Sequence, residues 1–271
     1  MAKISKIAWT HGSFNPWAGC APVSPACDHC YAETWAKSTG FVGWGPHAQR
    51  RRTSAKYWND PIKWNAEAVA AGARYRVFTA SLADIFDNAA PDAWREDLWA
   101  LVRATPNLDW IVCTKRIGNA PAMLPTDWGH GYPNVWLLIT VTDQHEAERD
   151  IPKLLAIPAV VHGLSMEPLL GPVRFARTNL PPANDGLSRH IIPAGWLGPD
   201  AINWVIVGAE STPRARPLDL AWVRSIHDQC KEAGTAFFLK QLCERGKPIA
   251  FEACPDDLRL REFPVPRRPK P

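Results

Sequence analysis

Two nucleotide-binding fingerprints are missing from this sequence of 271 residues. It has neither a Gly-x-Gly-x-x-Gly segment nor a Walker A segment, so neither motif supports an open nucleotide-binding sheet. It also has no apolar run near the roughly 20 residues that cross a bilayer. The segment after Met1 lacks the apolar stretch of a secretory signal. These absences favour a cytoplasmic protein with no membrane partner.

Cysteine is sparse, and its distribution is uneven. Seven cysteines in 271 residues are too few for a disulfide-dense secreted scaffold. Cys20, Cys27 and Cys30 lie in one Pro- and Gly-rich loop, and no fourth cysteine joins them there. A closed structural zinc site has four protein ligands, and a fully ligated iron–sulfur cluster has four thiolates. Three thiolates would leave one metal position open for chemistry.

Two other interpretations of the three thiols stay open. A zinc ion could be completed by His11, His29 or a distant residue, or two thiols could form a disulfide. A reducing cytoplasm favours metal ligands or catalytic thiols over a disulfide. Cys113 lies within an apolar run, so we expect it in the core.

The composition permits a large core and a nucleic-acid partner. Hydrophobic residues make up 46% of the chain, and the net charge is only +4. A charge of this size does not require a nucleic-acid partner. Most of the 14 tryptophans are expected to pack in the core, and a few could stack on bases.

Apolar strands alternate with helices along the whole chain. We predict strands that begin near Ile7, Arg76, Leu108, Asn134, Ala159, Ile202 and Thr235. Continuously apolar strands indicate a parallel sheet covered by helices, and the alternation indicates βαβ units. The sequence therefore predicts an α/β fold, a parallel TIM-like (β/α) barrel, complete or partial, with the cysteine loop after the first strand. A doubly wound open sheet is the alternative.

We expect a single barrel domain over residues 1–260. It carries a basic insertion at about 40–57, which contains Arg50-Arg51-Arg52, and a Pro/Arg-rich tail at 261–271. The insertion is either a solvated loop or a nucleic-acid contact, because its basic residues alternate with aromatic ones. The tail is expected to be solvated.

Polar residues follow nearly every predicted strand. Active sites of barrels lie at the C-terminal ends of the strands, so we expect these side chains to line one pocket. They are Ser81, Asp84, Asp87, Thr114, Lys115, Arg116, Thr140, Thr142, Asp143, Ser165, Glu167, Glu210, Ser211, Lys240 and Gln241. Asp143, which precedes a helix, is expected to be a cap.

The chain resembles radical S-adenosylmethionine (SAM) enzymes, and more closely phage and bacterial three-cysteine proteins without a known function. The resemblance covers almost the whole chain. It rests on Asn15-Pro-Trp-Ala-Gly-Cys20, Cys27-Asp-His-Cys-Tyr-Ala-Glu33, Thr114-Lys-Arg116, Ser165-Met-Glu-Pro-Leu-Leu-Gly-Pro172, Val205-Ile-Val-Gly-Ala-Glu-Ser211 and Phe237-Phe-Leu-Lys-Gln241. The first two cysteines are separated by six residues instead of the usual three. His29 stands where an aromatic residue is usual, and Ser81-Leu-Ala-Asp84 replaces the usual glycine-rich segment.

The resemblance implies a [4Fe-4S] cluster held by Cys20, Cys27 and Cys30, with SAM on the open iron. It also implies an electron donor of the flavodoxin or ferredoxin type. The residues expected to bind SAM are His29, Ser81, Asp84, Thr140, Glu167, Glu210 and Ser211. Three cations are expected at the rim: Lys115, Arg116 and Lys240. They either act in catalysis by binding an anionic substrate or form ion pairs with the carboxylates of the cavity.

The substrate is less defined. A phage context, implied by the resemblance, favours a nucleobase of DNA, such as a hypermodified pyrimidine that the radical rearranges in the host cytoplasm. Isomerase, lyase and other C–H chemistry stay open, as do peptide, tRNA and free-nucleotide substrates. A different class of function is a non-catalytic, zinc-stabilised nucleic-acid-binding protein.

Overall fold

A computed structural model of the protein describes residues 7–175, 195–212, 215–244 and 246–267. The strands are β1 (Gly12–Phe14), β2 (Trp17–Ala18), β3 (Arg51–Arg52), β4 (Tyr75–Thr79), β5 (Leu108–Thr114), β6 (Val135–Thr140), β7 (Val161–Met166), β8 (Trp204–Gly208), β9 (Ala236–Gln241), β10 (Cys243–Glu244) and β11 (Lys247–Pro248). The helices are α1 (Tyr31–Thr39), α2 (Asp60–Ala70), α3 (Asp92–Ala104), α4 (Ala120–Met123), α5 (Gln144–Leu155) and α6 (Leu220–Ala233). None of the described helices is long and apolar enough to cross a membrane.

A seven-stranded parallel sheet organises the fold. Its order is β1-β4-β5-β6-β7-β8-β9, so each strand pairs with the next one in this series. Within the described residues, β1 and β9 are its edge strands. The outer side of β9 is bridged by the tail: Phe238 pairs antiparallel with Arg261, and the Leu239 N–H donates to the Leu260 carbonyl at 2.8 Å. The sheet curls into a half-barrel. This is a mixed α/β fold compatible with the partial form of the predicted barrel. Two short antiparallel ribbons, β2–β3 and β10–β11, stand beside the sheet.

The strands alternate between two hydrophobic clusters. In β6, Val135 and Leu137 face outward and pack with helix residues, whereas Trp136 and Leu138 belong to a separate inner cluster. Successive side chains of a strand point to opposite faces, so a fully apolar strand supplies both clusters. The helices thus cover the outer face, and an aromatic inner cluster fills the concave side.

The cap predicted at Asp143 is present, and a glycine ends the last helix. Asp143 accepts a hydrogen bond from the Glu146 N–H at 2.9 Å, and Gly234 ends α6 with φ +67°. Asp28 is close to the start of α1 in sequence but does not cap it, because α1 begins after Cys30, whose side chain forms no capping bond. Asp28 instead lies 3.3 Å from Arg216.

The first strand also differs from its prediction. Residues Ile7 to Trp9 are not a strand: the Thr10 N–H donates to the Ile7 carbonyl in a turn. The first strand is β1, which begins five residues later than expected. Trp9 appears strand-like because it is apolar, but its ring packs edge-on against Phe78 and Trp204 in the inner cluster.

The described part of the tail packs against the N-terminal end of the sheet. Phe263 stacks near Trp204 and Phe238, with ring centroids 5.7 and 5.3 Å away, and the Arg76 guanidinium lies 3.9 Å from its centroid. The Arg267 N–H donates to the Val160 carbonyl at 2.8 Å. Residues 261–267 therefore lie against the N-terminal end of the half-barrel, although Val265 within them is 86% exposed. Residues 268–271 lie outside the described chain.

Candidate active site

The cysteine loop, residues 19–30, is directed by the glycine that opens it. Gly19 has φ +104°, and its N–H donates to the Leu82 carbonyl at 3.0 Å. A Cβ at this position would lie 3.1 Å from both Arg50 Cδ and Val42 Cγ2. Any other side chain would be strained and crowded there, so glycine sets how the chain enters the first cysteine.

The three thiols of the loop line one cavity of about 470 Å³. All three are half-buried free thiols, so the structure contains no disulfide between them. Most of the residues predicted from strand ends line the same cavity, and so does the histidine of the loop: His29, Ser81, Asp84, Lys115, Arg116, Thr140, Ser165, Glu167, Glu210, Ser211, Lys240 and Gln241. Four other strand-end residues do not line it, namely Asp87, Thr114, Thr142 and Asp143. The individual roles of the lining residues stay predictions.

Arg116 connects the first cysteine to the wall of the cavity. Its Nη1 lies 3.3 Å from Cys20 Sγ and 3.4 Å from Asp84 Oδ2, and its Nη2 donates to the Ala21 carbonyl at 2.7 Å. Burial raises the pKa of the Cys20 thiol, and Arg116 offsets part of that rise. Asp84 also accepts from the Thr114 hydroxyl at 2.8 Å. This carboxylate is thus an anchor for the β5 end of the cavity.

Lys115 brings a second cation to the thiols. No hydrogen bond or ion pair joins its ammonium to any described residue, although its N–H donates to Asp84 at 3.0 Å. Burial alone would lower the pKa of Lys115, but the combined attraction of Cys113, Cys27, Asp84 and Cys30 outweighs it and raises the pKa. The side chain therefore stays protonated beside sulfur atoms.

Glu210 fastens the other end of the cysteine loop. It accepts from the Arg216 N–H at 2.7 Å and from its guanidinium at 2.5 and 2.8 Å, and it lies 2.8 Å from His29 Nδ1. Arg216 in turn donates to the Pro25 carbonyl at 2.8 Å. Burial would raise the pKa of Glu210, but the bonds from Arg216 and His29 hold it below its usual range. His29 and Glu210, which were both predicted to bind SAM, therefore contact each other in this structure.

Glu167 and Lys240 form an ion pair on the opposite wall. The second carboxylate oxygen of Glu167, Oε1, is buried and has no hydrogen-bond partner among the described residues. A buried acceptor without a partner is costly, so this oxygen is suited to a donor on a bound ligand. Lys240 also reaches Ser211 Oγ at 3.5 Å.

Two further predicted residues have partners of their own. Ser81 donates to Asn15 Oδ1 at 3.2 Å, and its carbonyl accepts from the Tyr31 hydroxyl at 2.7 Å. Thr140 Oγ1 lies 3.7 Å from Cys113 Sγ. Cys113 packs against the inner hydrophobic cluster, in line with its predicted core position, but it is only half-buried and also lines the cavity.

The family of the chain follows from its sequence match. The family model described as "Protein of unknown function (DUF5131)" matches residues 4–253. The chain belongs to this family. No curated protein and no solved structure matches it. The family description assigns no chemistry, so the function of this member has to be argued from the cavity.

The donor set of this DUF5131 member suits an iron–sulfur cluster chemically. Three free thiols from one loop line the cavity, and thiolates are the ligands of such clusters. No three His, Cys, Asp or Glu side chains in the described ranges converge as ligands of one metal ion. His11 cannot complete a zinc site, because its Nδ1 accepts from the Arg76 N–H at 2.8 Å at the opposite end of the sheet.

The basic insertion is less available than its sequence suggests. Arg50 is buried and pairs with Asp87 at 2.7 Å. Arg51 lies over the Phe41 ring, and Arg52 lies over the Trp58 ring and pairs with an aspartate of α3. Arg50 is therefore a structural residue, and the remaining two cations lie at the surface.

Sequence reasoning missed two residues of the site. Cys113 follows Ile111 by two positions, and that spacing puts it on the concave face. The alternation of side chains along β5 could have predicted this position of Cys113 once the inner face of the sheet was known. Arg216 follows Glu210 by six residues in a loop, and no periodic pattern identifies such a contact.

Proposed function

We propose that this protein is a radical SAM enzyme. The observation that carries the proposal is the meeting of three free thiols and the strand-end polar groups at one cavity. When bound, a [4Fe-4S] cluster and SAM supply a 5′-deoxyadenosyl radical through reduction by a flavodoxin- or ferredoxin-type donor. In this proposal Cys20, Cys27 and Cys30 hold the cluster, and the protein supplies orientation and a sheltered cavity.

The cavity offers two unmatched polar groups for ligands. Glu167 Oε1 would accept from an N–H or O–H of SAM, and the Lys115 ammonium would meet an anionic group. The hydroxyls of Thr140 and Ser211 add ordinary hydrogen bonds. Losing one such contact should weaken binding by about 1–3 kcal/mol. Glu167→Gln with unchanged SAM affinity would remove that residue from the binding set.

We further propose a nucleobase-containing substrate. Trp9 and Phe78 line the apolar depth of the cavity, and aromatic faces stack with bases. For a DNA substrate, Arg51 and Arg52 would add a salt-dependent backbone contact. The test is DNA binding across a salt series for wild type and an Arg51/Arg52→Ala variant. Salt-independent or undetectable binding in both would favour a free nucleotide or peptide substrate.

The central experiment is anaerobic purification followed by iron, sulfide and zinc analysis. We expect a brown protein that contains iron and sulfide and that converts SAM to methionine and 5′-deoxyadenosine on reduction. A Cys20/Cys27/Cys30→Ala variant should lose iron and SAM cleavage together. Cys243→Ala and Cys254→Ala are matched controls, because neither residue lines the cavity. A full iron complement in the triple variant, or stoichiometric zinc in wild type, would overturn the proposal.

A further inference from the structure

The segment after β5 places more positive than negative charge beside the cysteine loop. Asp84 accepts from the Lys115 backbone N–H at 3.0 Å and from the Arg116 guanidinium at 3.4 Å, and no described carboxylate pairs with the Lys115 ammonium. One negative charge therefore faces two positive ones. The other nearby carboxylate, Asp87, is paired with Arg50 at 2.7 Å. The segment therefore carries surplus positive charge at the cavity that the three thiols line.

The contact between Arg116 and sulfur is direct. Nη1 of Arg116 lies 3.3 Å from Cys20 Sγ, and Nη2 binds the neighbouring Ala21 carbonyl. The side chain of Arg116 is only 10% exposed, so water screens its charge weakly. Lys115 lines the same cavity as Cys20, Cys27 and Cys30, but no hydrogen bond joins its ammonium to a sulfur among the described residues, so its charge acts over a longer range.

We infer that Arg116 is a positioning residue that raises the reduction potential of the cluster, with Lys115 adding a smaller contribution. The inference rests on the proposed function. Hydrogen bonds to the sulfur ligands and the net charge around a cluster both set its potential. A cation that donates to a ligating sulfur stabilises the reduced, more negative state. The segment thereby makes one-electron reduction by a protein donor easier.

The other cations of the cavity lack this geometry. Lys240 is neutralised by Glu167 on the opposite wall. Arg216 is neutralised by Glu210, and its remaining described contacts with the loop are to the Pro25 carbonyl and the Asp28 carboxylate, not to a thiol. Only the segment after β5, among the described residues, combines surplus charge with a bond to sulfur.

The test measures the midpoint potential of the reconstituted protein by redox titration with visible and EPR detection. The variants are Arg116→Gln, Arg116→Lys and Lys115→Gln. Arg103→Gln on the outer helix α3 is the control, because it removes an exposed cation that pairs with Asp127. We expect Arg116→Gln to lower the equilibrium constant for reduction about tenfold, which is about 59 mV for one electron. Lys115→Gln and Arg116→Lys should shift the potential less, in the same direction, and the control should not shift.

Iron and sulfide content separate the possible failures. If wild type binds no cluster, the proposed function fails and this inference falls with it. If Arg116→Gln keeps a full cluster at the wild-type potential, the inference is wrong and the proposed function stands. If Arg116→Gln cannot hold a cluster, Arg116→Lys and Lys115→Gln decide, and wild-type potentials in both would overturn the inference.

Discussion

The two ends of the half-barrel interior are built from the same strands but hold opposite kinds of side chain. The floor, at the N-terminal ends, packs aromatic rings: Trp136 and Phe238 meet Trp204 edge-on, and Phe263 of the tail completes the group. The mouth, at the C-terminal ends, presents thiols and charged groups. In β9, for example, Phe238 belongs to the floor, and Lys240 two residues later belongs to the mouth.

The residues of the floor stabilise the fold, whereas the residues of the mouth remain available to bind a ligand. The floor gains its stability from burial and ring packing. The mouth has polar groups with unused bonding capacity, namely the Lys115 ammonium and Glu167 Oε1, within the part of the chain that is described. Substitutions in the floor should therefore cost stability, and substitutions in the mouth should mainly change ligand binding.

The largest expected effect tests the floor. Trp204 is fully buried among four aromatic rings of the floor. Trp204→Ala should lower the free energy of unfolding by about 3–5 kcal/mol, through lost burial and the cavity left behind. Trp44, half-buried at the mouth, is the matched tryptophan, and Trp44→Ala should cost less than half as much. Denaturant titration measures both, and equal losses would contradict the division between floor and mouth.

A pH titration probes how the tail is attached to the floor. His162 is buried, lies 2.6 Å from the Ile157 carbonyl through Nε2, and accepts from Arg267 at Nδ1. Burial is the main cause that lowers its pKa to about 4. The unfolded chain binds a proton below about pH 6.5 that the folded chain excludes, so stability should fall as pH drops from 6.5 to 4.

The exclusion of this proton should lower the free energy of unfolding by at most about 3 kcal/mol at pH 4, relative to its value above pH 6.5. Unfolding free energies of wild type and His162→Gln, measured from pH 7 to pH 4, isolate it from the carboxylates. Glutamine can donate to Ile157 and accept from Arg267 without titrating. If the unfolding free energies of the two proteins fell in parallel with pH, His162 would not be the cause of the loss between pH 6.5 and pH 4.

A smaller effect is expected from the clamp on the mouth. Arg216→Ala should lower the free energy of unfolding by about 1–3 kcal/mol, because it leaves the buried Glu210 carboxylate with fewer donors. Alkylation of Cys27 and Cys30 in the cluster-free protein should also become faster, since the loop loses its bond at Pro25. Arg224→Ala removes an exposed pair with Asp257 and should change stability by under about 0.5 kcal/mol. Unchanged alkylation rates in Arg216→Ala would mean that the clamp does not hold the loop.

The smallest expected effect concerns the tail itself. Phe263 is 36% exposed, so Phe263→Ala should cost about 1–2 kcal/mol, less than a fully buried ring. Val265 is 86% exposed, and Val265→Ala should be nearly neutral. Thermal unfolding of the two variants distinguishes a packed tail from a solvated one. Equal midpoints would show that residues 261–267 add nothing to the floor.

Much of the sheet could be predicted because its strands are continuously apolar. The predicted strand at Leu108 matches β5, and the strand predicted from Asn134 begins one residue before β6. The first strand could not be found this way, because β1 has only three residues and Trp9 nearby is more apolar. Local patterns identify long buried strands reliably and short edge strands poorly.

The residues of the candidate site could be predicted from the sequence, but their contacts with one another could not. Strand-end polar residues could be found, because parallel strands bring their C-terminal ends to one rim. The partners of these residues could not, since Arg116 with Cys20 and Glu210 with His29 are contacts across 96 and 181 residues. The burial of Arg50 could not be predicted for the same reason, because its partner Asp87 lies 37 residues away in the sequence. The Arg50-Arg51-Arg52 triplet reads as a surface segment, but its first residue is internal.

The cysteine loop is tied at both ends of the segment between its first two thiols. Arg116 holds the Ala21 carbonyl and Arg216 holds the Pro25 carbonyl, and Val23 between them is 48% exposed. The spacing of the thiols is therefore governed by two fixed attachment points and not by the number of residues between them. Length variation at Val23 would enlarge an outward bend without displacing either thiol. A sequence with a longer or shorter spacer would then keep the same site, and a search pattern with a fixed cysteine interval would overlook it.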